Sequence, residues 1–164
     1  MSMIFYESIY WRCHKIDNTS KLEVALWSIA IPGFGQLLNK KYVKGLLLIG
    51  LEFLINMNSN LNTAIVSSFY GNTSAAIDQI DYQWLMFYPC VYMFAIWDAY
   101  KDSVTSTAPL SFIPFALAAY FGTIGVIYSK TFILWGVLFG PVWLPILAIF
   151  FGIAIGLLIR KAIL

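Results

Sequence analysis

The sequence predicts an all-α integral membrane protein of about four transmembrane helices, with a broken or half-inserted hairpin at the amino-terminal side. Three observations predict it. Of 164 residues, 60% are apolar and only 11% charged, with a mean hydropathy of +0.77. A soluble domain carries about 45–50% apolar and about 25% charged residues, and a chain this small cannot hide the difference in a core of its own. Long apolar stretches recur, approaching the roughly 20 residues that a bilayer crossing needs. Finally, the basic residues cluster on one set of the polar segments between those stretches. These numbers exclude a soluble globular domain and a disordered chain alike.

The chain reads as a single membrane domain over 1–164. Residues 1–21 are a polar tail, with Arg12, Lys15 and Asp17 breaking any signal-like apolar run, so no cleaved leader is expected. Residues 22–42 contain an apolar stretch cut by Pro32, Gly33 and Gly35 and end in the polar turn Asn39–Tyr42. Proline removes a donor and disfavours helix at the residue before it, so this segment reads as a broken hairpin. Spans are expected over 43–57, 84–100, 110–128 and 131–159, the last interrupted by Gly140-Pro141 and Pro145. Between the first two lies 58–83, rich in Asn, Ser and Thr, with Asp78 and Asp81 but no Lys or Arg. It reads as a polar external loop. If 22–38 enters and leaves on one face, every Lys and Arg except Lys130 falls on the same side. The positive-inside bias then makes that side, and both termini, cytoplasmic. The expected location is the cell (plasma) membrane, the inner membrane of a bacterium, with multiple passes.

The least generic string is Ile31-Pro32-Gly33-Phe34-Gly35-Gln36, followed by Lys40, Lys41, Lys44 and Gly45. It resembles the P-G-x-G-Q…K-G segment of many small bacterial polytopic membrane proteins, which are loosely similar to the two-transmembrane domain family. Trp97-Asp98-Ala99-Tyr100 resembles the W-x-x-D-type ending of the helix that closes such units. The likeness covers about residues 25–101, and the chain lacks the family's H-R-F-Y element. What the resemblance implies is a topology rather than an activity. Read from the residues themselves, the glycines allow close backbone approach, Gln36 offers to satisfy groups freed around Pro32, and the lysines suit an anionic leaflet. Two readings stand: a structural turn with a topology-fixing basic cluster, or a ligand or partner site.

Glu52 lies nine residues into its span, roughly 13 Å deep, and an intramembrane carboxyl is costly. With Asn56, Ser59, Asn60 and Thr63 it follows helical spacing, which predicts a polar seam on one face. The seam reads either as a binding path for a cation, a proton or a polar headgroup, or as hydrogen-bonded packing glue. Asp98 and Lys101, one turn apart, are expected to form an interfacial ion pair. Gly136 with Gly140, and Gly152 with Gly156, are GxxxG pairs that predict close helix packing, either within the bundle or between copies.

Chemistry is thinly represented. There is no Ser-His-Asp set, HExxH or phosphate loop, so no catalytic residue is assigned and the chain is not expected to be an enzyme. Cys13 and Cys90 lack metal spacing and His14 has no partner in the sequence, so no metal or cofactor is expected. Ten scattered Lys and Arg do not make a nucleic-acid surface. The expected partners are the lipid bilayer and either a second copy of the chain or another membrane protein. The function expected is accessory, structural or regulatory, through helix contacts. The alternative is an oligomeric small-solute or ion channel or transporter using the seam around Glu52.

Overall fold

A computed structural model of the chain describes residues 21–164. The tail over residues 1–20, with Arg12, Cys13, His14 and Lys15, lies outside the described residues. The described chain is mostly helical. Residues 21–30 are helical (α1), and the helices that follow are α2 (Phe34–Leu38), α3 (Tyr42–Ser59), α4 (Leu61–Phe69), α5 (Thr73–Gln79), α6 (Tyr82–Leu85), α7 (Tyr88–Ser103), α8 (Ile113–Tyr128) and α9 (Gly140–Ile163). A short antiparallel hairpin, β1 (Ile133–Leu134) and β2 (Val137–Leu138), precedes α9.

Four longer helices, α3, α7, α8 and α9, run alternately up and down. Seven of the described basic residues, Lys21, Lys40, Lys41, Lys44, Lys101, Arg160 and Lys161, belong to segments at one end of them. Segments α4–α6 and the β-hairpin close the opposite end. One helix, Gly140–Ile163, is long and apolar enough to span a bilayer, and Ile113–Tyr128 is apolar but shorter.

The hairpin at the amino-terminal side folds back on itself. Pro32 and Gly33 end α1, and Gly33 sits at φ 98°, a left-handed conformation that glycine adopts without strain. The return arm α2 lies against the outgoing one, with Gly35 facing Val24 and Ser28. The turn nests into α3, where a Cβ on Gly33 would come 2.6 Å from the Gly45 oxygen.

Three expectations are corrected. Residues 58–83 are not a loop but three short helices with a core of their own, built from Leu61, Ala64, Ala76, Ile80 and Leu85 against Val126 of α8. Side-chain caps start two of them: Asn72 accepts from Ala75 N, and Asp81 accepts from Gln83 N and Trp84 N. The span expected over 131–159 is helical only from Gly140, where α9 begins, because Ile133–Leu134 pair with Val137–Leu138 as strands before it. Gly136 is therefore not a helix-packing residue. With Trp135 it takes positive φ, 78° and 52°, as a two-residue hairpin turn of mirror-image type demands. Gly140 sits at φ 69° against Thr73 of α5, so it too lies off any GxxxG helix face.

Gly152 and Gly156 do lie at a helix contact, and it is internal. They meet α8, where a Cβ would lie 2.6 Å from Leu117 O and 2.5 Å from Pro114 Cα. Gly122 and Gly125 on α8 answer them, facing Ile149 and the Pro145 backbone. Two glycines on each helix thus bring the backbones together. Accordingly, Gly152→Leu is expected to cost about 3 kcal/mol through overpacking. Gly50 of α3 has nothing within 4 Å of where its Cβ would be, so Gly50→Ala should be neutral or stabilising by up to about 1 kcal/mol. Thermal unfolding of the purified variants in one detergent checks both.

Candidate functional site

A connected set of polar side chains forms where the Pro-Gly hairpin meets the last turns of α7. Gly33, Gly35 and Gly45 are all buried, so the three segments approach closely enough for short polar side chains to bridge them. Gln36, fully buried, donates from Nε2 to Ala95 O at 2.9 Å and to Asp98 Oδ2 at 3.2 Å. Asn39 Nδ2 donates to Ala99 O at 2.8 Å. From the first turn of α3, Lys44 Nζ reaches Asp98 Oδ1 at 2.8 Å and Asp102 Oδ2 at 3.0 Å. The Asp98 side chain is 9% exposed and that of Lys44 49%, so the carboxylate is inside and the ammonium is at the rim.

This arrangement corrects two expectations. Gln36 does not serve the groups around Pro32; its Nε2 is spent on α7, and its Oε1 is buried without a partner among the described residues. Lys101 does not pair with Asp98. Its ammonium stands 5.0 Å from the Trp97 ring centre as a cation–π contact, and Lys44, 54 positions away in sequence, takes the carboxylate instead. Lys44 and Gly45 thus join Pro32, Gly33, Gly35 and Gln36 in one clasp with Asp98, which also engages Asn39 and Asp102, two residues with no distinguishing spacing of their own.

The seam around Glu52 breaks up. Glu52 faces α7, and the Tyr88 hydroxyl donates to its Oε1 at 3.1 Å, while Oε2 is buried without a partner among the described residues. α3 then stops at Ser59, because Asn60 turns left-handed at φ 57°. Past that break the helical register is lost, so Asn60 and Thr63 do not continue the Glu52 face. Asn56 donates to Asn62 Oδ1 at 3.1 Å, Ser59 Oγ to Asn56 O at 3.3 Å, and Asn60 Nδ2 to Gln79 O at 3.1 Å. The Asn56 and Asn60 bonds tie the end of α3 to the capping helices, the Ser59 bond stays within α3, and none of them reaches Glu52.

A second polar node, unforeseen from sequence, lies at the capped end. Ser129 Oγ donates to the Tyr82 hydroxyl at 3.3 Å, and Lys130 Nζ stands 4.1 Å from the Tyr82 ring centre. Burial raises the Tyr82 pKa above its ordinary value, so its oxygen remains a neutral phenol there. Among the described residues no group of three or more His, Cys, Asp or Glu is placed to hold a metal ion. The chain matches no protein-family model and no curated protein, and no solved structure matches its fold.

The clasp generates a test. Lys44→Met strands a buried carboxylate and should destabilise the fold by roughly 3 kcal/mol. The double variant Lys44→Met/Asp98→Asn keeps an acceptor for Gln36 without the charge and should lose clearly less. Lys41→Met, at an exposed position, is expected to stay within about 0.5 kcal/mol of wild type. Equal losses in the single and double variants, by thermal unfolding, would contradict the assignment.

Proposed function

We propose that the chain is a small multi-pass membrane protein of accessory or structural type, acting through helix contacts with a membrane partner and without catalysis of its own. The observation that carries this reading is the direction of its surfaces. Only 22% of the most apolar 18-residue window of α9 is buried within the protein. Leu147, Phe151 and Leu158 on α9, and Leu47, Phe53 and Leu54 on α3, present large apolar side chains outward. In water such a continuous apolar flank would be unfavourable at about 25 cal/mol per Å², whereas hydrocarbon covers it at no cost. The polar side chains Gln36, Glu52 and Asp98 are instead turned inward, where each makes a hydrogen bond within the bundle.

In this reading α3, α7, α8 and α9 cross the bilayer. The hairpin over 22–41 enters to about half depth and returns, so that its broken backbone is covered by α3 and α7. The basic end faces the cytoplasm, and the α4–α6 cap with the β-hairpin faces outward. The clasp then serves the assembly of the chain rather than a reaction.

Conduction makes a contrasting demand. In proteoliposomes the purified chain is expected to leave an imposed proton or potassium gradient intact. A flux that Glu52→Gln removes at equal protein level would overturn the accessory reading in favour of an oligomeric channel. In intact cells, a photo-crosslinking residue at Leu147, Phe151 or Leu158 should yield a discrete protein adduct that Phe53 and Leu54 do not. Lipid adducts alone at all five positions would count against a protein partner.

A further inference from the structure

The described bundle holds an apolar cleft of about 460 Å³ that the clasp does not use. Its floor is made by buried side chains, among them Leu85, Met93 and Val126, and its rim by the exposed Ile29, Ile146 and Phe150. It therefore opens sideways, between α1 and α9, on the apolar flank and not at a polar end. Along α9 the lining runs from Pro141 to Ile153, so the cleft extends for roughly 18 Å parallel to the helix at 1.5 Å per residue. The two tyrosines that line it have committed hydroxyls: Tyr88 donates to Glu52 and Tyr92 to Ile29 O. No charged side chain lines it.

We propose that this cleft is a binding site for a single hydrocarbon chain of a bilayer lipid, lying parallel to the helices. Three physical arguments select that occupant, and all rest on the membrane reading above. Water needs two to four polar partners, and the walls offer none that is free. An empty cleft would forfeit dispersion contacts along its whole lining. The medium against its mouth is acyl chain, already aligned with the long axis of the cleft. Its volume lies within the range of ordinary small-molecule sites. Pro89, Pro141 and Pro145 form part of the walls, and close packing of α8 on α9 at Gly125 and Pro145 fixes their spacing, so the cleft is built before the chain enters.

The test uses the full chain reconstituted in phosphatidylcholine vesicles that contain a phosphatidylcholine with a diazirine in mid-chain. After illumination, adducts are mapped by mass spectrometry. Adducts concentrated at Met93, Phe115 and Ile153 over the outward Phe53 and Phe94 are expected. Ile146→Trp, which narrows the mouth from an exposed position, should reduce the cleft adducts several-fold and leave the outward ones unchanged. Adducts on Phe53 and Phe94 with none in the cleft would overturn the proposal while leaving the membrane reading intact. No adducts anywhere would overturn both.

Discussion

A buried carboxylate between two chain segments more than fifty residues apart sets the terms for this fold. Asp98 is buried in a largely apolar bundle, where an unpaired charge is costly. It is tolerated because the Gln36 amide and the Lys44 ammonium reach it together from the hairpin and from the start of α3. That geometry is available only if the hairpin turns back at Pro32-Gly33 and lays α2 against α7. The same requirement explains the small residues around it. Gly33, Gly35 and Gly45 remove the side chains that would hold the segments apart, and Ala95 and Ala99 leave their carbonyls open to Gln36 and Asn39. A pair of this kind is weak evidence for net stability but strong evidence for register, since any slip of α2 along α7 strands the charge.

The other half of the bundle is held by a different principle. α8 and α9 meet through Gly122, Gly125, Gly152 and Gly156, with no ion pair between them, and depend on close backbone approach and the apolar side chains packed around it, among them Phe121 on Phe151. Arg160 Nε donates to Pro109 O at 3.0 Å and fastens the basic end of α9 to the start of α8. The capping helices fasten the opposite end, where Trp143 lies 4.9 Å from Phe69, ring centre to ring centre. One half is thus specified by polar complementarity and the other by shape.

Much of this was legible in the sequence, piece by piece. The Pro-Gly break, the basic cluster, Asp98 and the second GxxxG pair each stood out locally. Their pairing did not, because partner choice across sixty residues is a tertiary property. From sequence, Lys101 is the natural partner of Asp98, one turn away; in the fold Lys44 takes the carboxylate and the Lys101 ammonium lies over Trp97. The composition of 58–83 suggested a loop, yet Leu61, Ala64, Ile65 and Ser68 follow helical spacing, and Asn72 and Asp81 are good caps. The Glu52 stripe failed at a single residue, since Asn is one of the few side chains that accept the left-handed conformation found at Asn60. Gly136 misled because a glycine spaced for helix packing also suits a tight hairpin turn.

In the proposed membrane topology the hairpin at the amino-terminal side returns to the face it enters, with the clasp at one end of the bundle and the helical cap at the other. Sidedness tests it most directly. In a background without Cys13 and Cys90, single cysteines at Glu23, Lys41, Thr105, Asn72 and Thr131 are treated in intact cells with a membrane-impermeant maleimide. Labelling of Asn72 and Thr131 alone, with the other three reacting only after permeabilisation, is the predicted result. Labelling of Glu23 together with Asn72 would mean that α1 crosses the bilayer, and would contradict the account.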